Sequence, residues 1–241
     1  MLHTELASPS RGVGREYWQR FLILGLLAVT TAPAWAADKA KDEETLRNAS
    51  TVLSAMLESN NVPADLLARA YCVVVLPGVK KFGFGVGGSG GRGPMSCRKG
   101  KYFKGKWSAP AMYTVSGASV GLQVGGSSSD YVLLVMTQKG VDAILQAKTK
   151  LGSNASAAAG PTGATAQSVG SDILTYGRTE GLFAGASLGG ATLEADKDAN
   201  QRLYGKAISA DEILMQNAVQ ATPGGESLVA LLDTKIAKHG G

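Results

Sequence analysis

The sequence predicts a single α+β domain in which a mostly antiparallel, glycine-rich β-sheet, curved or barrel-like, is flanked by N- and C-terminal helices. Two observations lead to this fold class. Near both ends of the chain, apolar residues recur every three or four positions, which is helical spacing. Between those segments, bulky and very small residues alternate with the two-residue period of strands. Residues 38–241 are long enough to build one hydrophobic core.

The predicted helices are defined by apolar spacing and by capping residues. Thr137 is a suitable N-cap for a helix that runs to about residue 147. Ser209 and Glu212 form a capping-box pair, and Pro223 occupies the first-turn position that proline tolerates. The full set of predicted helices covers residues 42–59, 63–70, 138–147, a short segment after 209, and a last helix from 223 with Leu228, Leu231, Leu232 and Ile236 on one face.

Three predicted strands carry a row of very small residues on one side. In residues 82–87, Phe82 and Phe84 alternate with glycines, and residues 114–125 and 181–193 repeat the pattern. Glycine weakens a strand, so it indicates a place where another part of the chain, or alternatively a ligand chain, comes close. The remaining predictions are strands at 71–76, 95–98 and 131–136 and turns at 77–78 and 160–163.

One glycine motif has the spacing of a dinucleotide-binding loop. Gly83, Gly85 and Gly88 form G-x-G-x-x-G, but that loop needs a helix opening at its last glycine. Here Ser-Gly-Gly-Arg-Gly-Pro follows, which does not start a stable helix, and no acidic residue appears before Asp130. We therefore interpret these glycines as part of a sheet.

The first 37 residues have the features of a secretory signal peptide. Three arginines precede an apolar run at 21–29, and a small-x-small pattern follows at 34–36. We expect cleavage near Ala36 or Ala37 and export to the periplasm, with an uncleaved signal anchor as the alternative. Residues 38–241 then form the mature domain.

Cys72 and Cys97 are the two cysteines of the chain. In an oxidising compartment they are candidates for a disulfide, while Cys72 also suits the interior of an apolar strand as an unbonded residue. The sequence alone leaves both alternatives open, because a bridge requires a short Cα separation.

The chain lacks the residues that most hydrolytic and metal-dependent reactions need. His239 is the one histidine that remains after export, so a Ser-His-Asp or Cys-His site has no suitable base. The Asp196-x-Asp198-x-Asn200 segment begins like a calcium loop but lacks the later ligands, which favours a helix cap. We expect no enzymatic activity, no metal and no cofactor. An unforeseen chemistry at Arg178 and Glu180 is the weaker alternative.

A cluster of positive charge is the main candidate for a binding site. Residues 80–106 hold eight cations and no acidic residue, and aromatic residues are interleaved with them. Such a cluster is attracted to anionic membrane surfaces, while the alternative is a solvated basic hairpin. Nucleic-acid binding conflicts with export. The predicted lipid-binding residues are Lys80, Lys81, Arg92, Arg98, Lys99, Lys101, Tyr102, Lys104, Lys106 and Trp107.

The order of several short motifs resembles the SYLF domain family, also known as the yeast-type actin-binding lipid-binding domain. The resemblance covers roughly residues 43–216. Its motifs are YCVVVLP (71–77), the glycine stretch (83–93), WSAP (107–110), GLQVG (121–125), LG (151–152), GP (160–161), YGRTEGLFAG (176–185) and LYG (203–205).

The resemblance implies a lipid-binding domain without enzymatic activity. Eukaryotic members of this family bind phosphoinositides, and some fungal members bind actin filaments. The expected function is therefore an exported protein that binds anionic phospholipid headgroups, or a fatty chain, at a membrane surface. The alternative is a structural or protein-interaction module of the cell envelope.

Overall fold

The fold is taken from a computed structural model that describes residues 34–146, 148–151, 157–159, 171–181, 188 and 190–237. Within these residues the helices are α1 (Ala34–Glu58), α2 (Ala64–Arg69), α3 (Gln138–Leu145), α4 (Lys197–Tyr204), α5 (Ala210–Leu214) and α6 (Pro223–Ala237). The strands are β1 (Cys72–Cys97), β2 (Ala111–Val135), β3 (Thr149–Lys150), β4 (Ala157–Ala159), β5 (Ile173–Gly181) and β6 (Thr192–Ala195). The predicted α+β class with a curved, mostly antiparallel sheet is confirmed.

Two very long strands form a ribbon that folds back on itself. β1 and β2 pair antiparallel from Cys72 opposite Val135 to Met95 opposite Ala111. Fully extended, a strand of 26 residues would measure about 85 Å. Instead its two end residues are bonded by the Cys72–Cys97 disulfide, with their Cα atoms 4.0 Å apart. The ribbon therefore bends near its middle, and its two halves face each other.

Glycines provide the space for this close approach. A Cβ atom on Gly93 would overlap the carbonyl oxygen of Val75, and one on Gly91 would lie 2.8 Å from Cγ2 of Val79. Both contacts join the second half of β1 to its first half. Side chains in these places would keep the two halves apart, so the glycines are required by packing within the chain. The prediction that they serve the sheet is confirmed.

The other strands extend the two halves of the ribbon separately. On the edge of β2 away from β1, β5 pairs with residues 127–135 and β6 pairs with residues 113–116. β3 then pairs with β6, and β4 pairs with β5 in the one parallel pairing among the described strands. The single strand β2 thus joins two sheet segments, one extended by β5 and β4 and the other by β6 and β3.

The fold buries apolar side chains on both sides of the ribbon. The inner core lies between the two halves and includes Val74, Met95, Tyr113 and Tyr131, with α3 and α5 packed against it. The outer core covers the first half with residues from α1, α2 and α6, among them Leu53 and Leu232. Because both faces of the first half are covered, residues 72–76 form an uninterrupted apolar run.

Predicted capping interactions are present. The Thr137 hydroxyl accepts a hydrogen bond from Gly140 N–H at 3.1 Å at the start of α3. Ser209 and Glu212 form the complete capping box of α5. Asp196 caps α4 by accepting from Ala199 N–H at 3.0 Å. The prediction that the 196–200 segment caps a helix is confirmed.

The predicted strand boundaries were wrong in the ribbon. The turn at Pro77 and Gly78 does not end a strand, because the ladder to β2 resumes at Val79 after an irregularity. Gly78 there has a φ of 58° and donates its N–H to Oδ1 of Asp130 at 2.9 Å. Likewise the strands predicted at 82–87 and 95–98 belong to β1, and those predicted at 114–125 and 131–136 belong to β2. The strand predicted at 181–193 is described only at its two ends, and the turn predicted at 160–163 lies outside the described residues.

Candidate functional site

The segment between β1 and β2, residues 98–107, is called the basic loop here. It carries Arg98, Lys99, Lys101, Lys104 and Lys106 and no acidic residue. Its two ends meet in a bridge between Arg98 and Trp107, directly beside the disulfide at Cys97. Further in, Lys99 N–H donates to the Lys106 carbonyl at 2.9 Å, and Gly105 N–H donates to the Lys99 carbonyl at 2.8 Å. Five cations are thus held on one short, closed loop.

The tip of the basic loop has a backbone conformation that side chains rarely adopt. Gly100, Tyr102 and Phe103 have φ values of 79°, 65° and 53°. For the two non-glycine residues this conformation costs roughly 1–2 kcal/mol each. The ring of Phe103 stacks on Tyr71 with centroids 4.5 Å apart, which holds it in place. The adjacent Tyr102 consequently points outward, with 68% of its surface exposed.

Three exposed cations lie within four residues of this tyrosine in the basic loop. Lys101, Lys104 and Lys106 are all exposed, and the Lys101 ammonium lies 5.3 Å from the ring centroid of Tyr102. Lys99 is partly buried and donates to the side-chain oxygen of Asn217. An exposed aromatic ring among ammonium groups is a common arrangement at the boundary between water and lipid headgroups.

At the base of the loop, Arg98 and Trp107 have a structural role. The guanidinium of Arg98 lies 5.5 Å from the Trp107 ring centroid, and Trp107 is only 3% exposed within the outer core. The backbone N–H of Trp107 donates to Oδ1 of Asp233 at 3.3 Å. Burial lowers the pKa of Arg98, and the nearby charge of Asp233 partly offsets that effect. Trp107 therefore supports the loop from below and does not belong to its exposed surface.

Arg92, one of the ten predicted lipid-binding residues, is engaged elsewhere. Its guanidinium pairs with the buried carboxylate of Asp42 in α1 and, at 3.3 Å, with Asp196 at the start of α4. Asp42 also accepts from Nε of Arg202 at 2.8 Å, and the resulting hydrogen bond raises the pKa of Arg202. These ion pairs connect α1, β1 and α4, so Arg92 contributes to the fold more than to an exposed charged surface.

Lys80 and Lys81 lie on β1, away from the basic loop. They are eight and nine residues beyond Cys72, distances of about 26 and about 30 Å along an extended strand. The Lys80 ammonium donates to the Ser128 hydroxyl at 3.2 Å, and that of Lys81 lies 5.3 Å from the Tyr131 ring centroid. The cluster that is continuous in sequence is therefore divided into the basic loop, the pair at 80–81, and the internal ion pairs of Arg92.

Of Arg178, Glu180 and His239, which were considered for enzymatic chemistry, only Arg178 has a described side chain, and it is engaged in the fold. Arg178 pairs with Asp130 at 2.9 Å between β5 and β2, while the side chain of Glu180 and all of His239 lie outside the described part of the chain. The described residues contain no group of three or more potential metal ligands.

The Tyr176 hydroxyl is buried, and desolvation together with the charge of Asp65 raises its pKa to about 12. No helix in the described ranges is long and apolar enough to cross a membrane.

Sequence reasoning included Tyr102 among the site residues, but it missed two other features of this region. The pairing of Arg92 with Asp42 spans 50 residues and left no local pattern. The exposure of Phe84, 83% of its surface, was hidden because alternation with glycine identifies a strand but not which of its faces is covered.

The folded ribbon belongs to an α+β domain that carries a basic loop with an exposed aromatic ring at its tip. Comparison with known sequences identifies the family. Residues 116–235 match the family model described as "Ysc84: Las17-binding protein actin regulator". The chain belongs to this family, which is the SYLF family indicated by its motifs.

Curated relatives extend the similarity over most of the chain. SH3 domain-containing YSC84-like protein 1 of Homo sapiens is 32% identical over 184 residues, covering 74% of this chain and 52% of that protein. LAS seventeen-binding protein 3 of Saccharomyces cerevisiae is 28% identical over 208 residues, covering 80% of this chain and 44% of that protein. The chain thus spans about half the length of the curated relatives it matches. No solved structure matches it.

Proposed function

We propose that this chain is a non-catalytic, exported lipid-binding protein whose basic loop binds anionic phospholipid headgroups. The carrying observation is the joint exposure of Lys101, Tyr102, Lys104 and Lys106 on a loop whose base is fixed by a disulfide and a bridge. Fixed cations bind a charged surface with little loss of conformational freedom. The aromatic ring among them suits the depth of the headgroups.

Export to the periplasm, with cleavage near Ala36 or Ala37, is part of this proposal. The bond between Cys72 and Cys97 supports it, because such bonds persist mainly in oxidising compartments. Phosphatidylinositol-type headgroups and simple acidic phospholipids share the phosphate that the lysines would contact. Among the ten residues predicted from the sequence, the exposed members of the basic loop carry this proposal, since Arg92 and Trp107 are engaged in the interior.

Vesicle sedimentation tests the proposal. The mature chain should sediment with vesicles that contain phosphatidylglycerol and not with pure phosphatidylcholine, and the bound fraction should fall as salt is added. A cation near an anionic bilayer contributes about 1 kcal/mol, so replacing three lysines should weaken binding roughly 100-fold at low salt. The test variant is Lys101→Gln/Lys104→Gln/Lys106→Gln.

A matched control separates local charge from net charge. Lys148→Gln/Lys197→Gln/Lys206→Gln removes the same three charges from exposed positions outside the basic loop. It should retain most of the binding. Equal loss in both triple variants, or binding to neutral vesicles alone, would contradict a lipid site at the basic loop.

A protein-interaction role is the second candidate. It is favoured by the relatives, which include a protein named for binding LAS seventeen. If the basic loop binds a protein partner, that partner should be lost from cross-linked envelope samples in the Lys101→Gln/Lys104→Gln/Lys106→Gln variant while vesicle binding is absent in both variant and wild type.

A further inference from the structure

Two phenylalanines are exposed where the ribbon bends. Phe82 and Phe84 lie two residues apart on β1, with 66% and 83% of their surfaces exposed. They precede the second irregularity in the β1–β2 ladder, between Phe84 and Val86. Residues 82–91 of β1 and the paired residues 115–126 of β2 are called the phenylalanine tip here. Exposed large apolar side chains that are grouped in this way are uncommon on soluble proteins and indicate a contact surface.

The phenylalanine tip contains no charged residue, but cations adjoin it. No Asp, Glu, Lys or Arg occurs in residues 82–91 or 114–129. Lys80 and Lys81 come immediately before the tip, and Lys80 is exposed. The nearest acidic residue in β2 is Asp130, which is paired with Arg178. An uncharged apolar end followed by ammonium groups is complementary to an anionic bilayer, where phosphates lie outside the apolar region.

The backbone of the phenylalanine tip is hydrogen-bonded along the edge that β1 and β2 share. Residues 82–84 and 86–91 of β1 are paired with β2 throughout. Unpaired backbone groups cost several kcal/mol each in hydrocarbon, and pairing avoids that cost for the shared edge. The many glycines also bring no bulky polar side chain that would need to be dehydrated.

The position of Phe82 is fixed by a glycine on the returning part of the strand. A Cβ atom on Gly88 would lie 3.0 Å from the Phe82 ring, so the ring lies against Gly88. This contact directs the aromatic side chain along the tip, with Phe84 more exposed beyond it.

We propose that the phenylalanine tip inserts into the apolar margin of an anionic bilayer, with Lys80 at the level of the phosphates. The inference rests on the proposed membrane function and adds a contact surface that does not include the basic loop. The two surfaces lie at different ends of the first half of β1, so variants can change one without the other.

A site-specific fluorophore tests insertion directly. Phe84→Cys provides a single free thiol, since Cys72 and Cys97 are bonded to each other, and an NBD label there reports a less polar environment. The matched control is the same label at Ser227→Cys, an exposed position on α6. With phosphatidylglycerol vesicles, the label at 84 should shift to the blue and be quenched by lipids that carry a nitroxide on the acyl chain, while the label at 227 should not.

The other possible outcomes of this experiment distinguish failure of the tip proposal from failure of the proposed function. Sedimentation with vesicles but an unchanged label at 84 would overturn the tip proposal and leave the proposed function intact. No sedimentation of the wild-type chain would overturn the proposed function itself. A change that follows protein concentration without vesicles would assign the tip to contact with a second copy of the chain, which also overturns insertion.

A pair of substitutions gives an independent measurement. Phe82→Ser/Phe84→Ser should reduce vesicle partitioning about 30-fold, because two largely exposed aromatic groups lose their transfer from water. Phe82→Leu/Phe84→Leu keeps the apolar surface and should stay within about threefold of wild type. The loss in the serine pair should persist at high salt, whereas that of the lysine triple variant should fade. Equal binding by the serine and leucine pairs would refute insertion.

Discussion

The bend of the ribbon predicts a large effect from the smallest possible substitution, Gly93→Ala. Gly93 is buried, and the added methyl group would overlap the carbonyl oxygen of Val75 and lie 3.0 Å from Cα of Leu76. Both neighbours are backbone atoms in the other half of the same strand. They cannot rotate away as a flexible side chain would, so the two halves of the ribbon must separate.

The magnitude follows from that geometry. Inserting one methyl group into a packed interior costs typically 1–3 kcal/mol, and more where the backbone must move. We expect Gly93→Ala to lower the free energy of unfolding by at least about 3 kcal/mol. Domains of this kind are stable by only about 5–15 kcal/mol, so the variant should unfold at clearly lower urea concentration.

Gly90→Ala is the matched control in the same strand. A Cβ atom there would meet its nearest neighbour, the carbonyl oxygen of Val115, at 4.0 Å, which is ordinary contact. Because alanine restricts the unfolded chain, this variant should equal wild type or gain about 0.5 kcal/mol. Urea unfolding of the disulfide-bonded chain, followed by circular dichroism, measures both. The error of such a comparison is about 0.5 kcal/mol. The folded-back ribbon would be refuted if the free energies of unfolding of Gly93→Ala and Gly90→Ala differed by less than about 1 kcal/mol.

Three further predictions concern bonds that hold the fold. Asp42→Asn removes the buried carboxylate shared by two arginines and should cost about 2–3 kcal/mol in urea unfolding, whereas exposed Glu44→Gln should cost under about 0.5 kcal/mol. Cys72→Ser/Cys97→Ser should lower the free energy of unfolding by about 3 kcal/mol in the same assay. A reductant should destabilise wild type but not this variant. Hydrogen bonds from the N-cap residue Ser209 lower the pKa of Glu212, so the contribution of Glu212 to stability is present at neutral pH and lost as the pH falls through the acidic range. Glu212→Gln should therefore lose less stability on acidification than wild type. Equal dependence of the free energy of unfolding on pH in the two proteins would contradict this.

Features set by neighbours in the sequence were predictable. The caps at Thr137, Asp196 and Ser209 depend on hydrogen bonds between residues three positions apart, so the residue types and their spacing are sufficient. The alternation of bulky and small residues also identified strand segments correctly, because the two faces of a strand differ in what they contact.

Strand continuity was not predictable from local rules. Pro77 and the glycines of residues 83–93 are residues of turns when considered alone. In the protein, most of these glycines have a partner in β2 across the ladder, and Pro77 lies where the ladder is irregular, a place that tolerates proline. For these glycines the decisive interaction is with residues 20 to 42 positions further along, from Gly93 opposite Tyr113 to Gly83 opposite Gly125, and a local pattern contains no information about it.

The division of the positive cluster has the same origin. An extended strand advances about 3.3 Å per residue, so Lys80 is carried well away from the basic loop, whereas a closed loop keeps its residues together. Lys101, Lys104 and Lys106 therefore remain neighbours, while Lys80 lies beside the phenylalanine tip and Arg92 meets Asp42 in the interior. Sequence proximity predicts a shared surface only where the chain turns sharply.

The closure of β1 links the fold to the proposed binding surfaces. Because Cys72 and Cys97 lie side by side, the same strand that carries Phe84 away from the domain returns to support Arg98 at the base of the basic loop. Separation of the two halves would thus disturb the inner core and the footing of the loop together. Gly93 should consequently matter for the proposed lipid binding without contacting lipid, and Gly93→Ala should weaken vesicle binding only to the extent that it unfolds the domain. Loss of binding by a fully folded Gly93→Ala variant would instead place a lipid contact inside the ribbon.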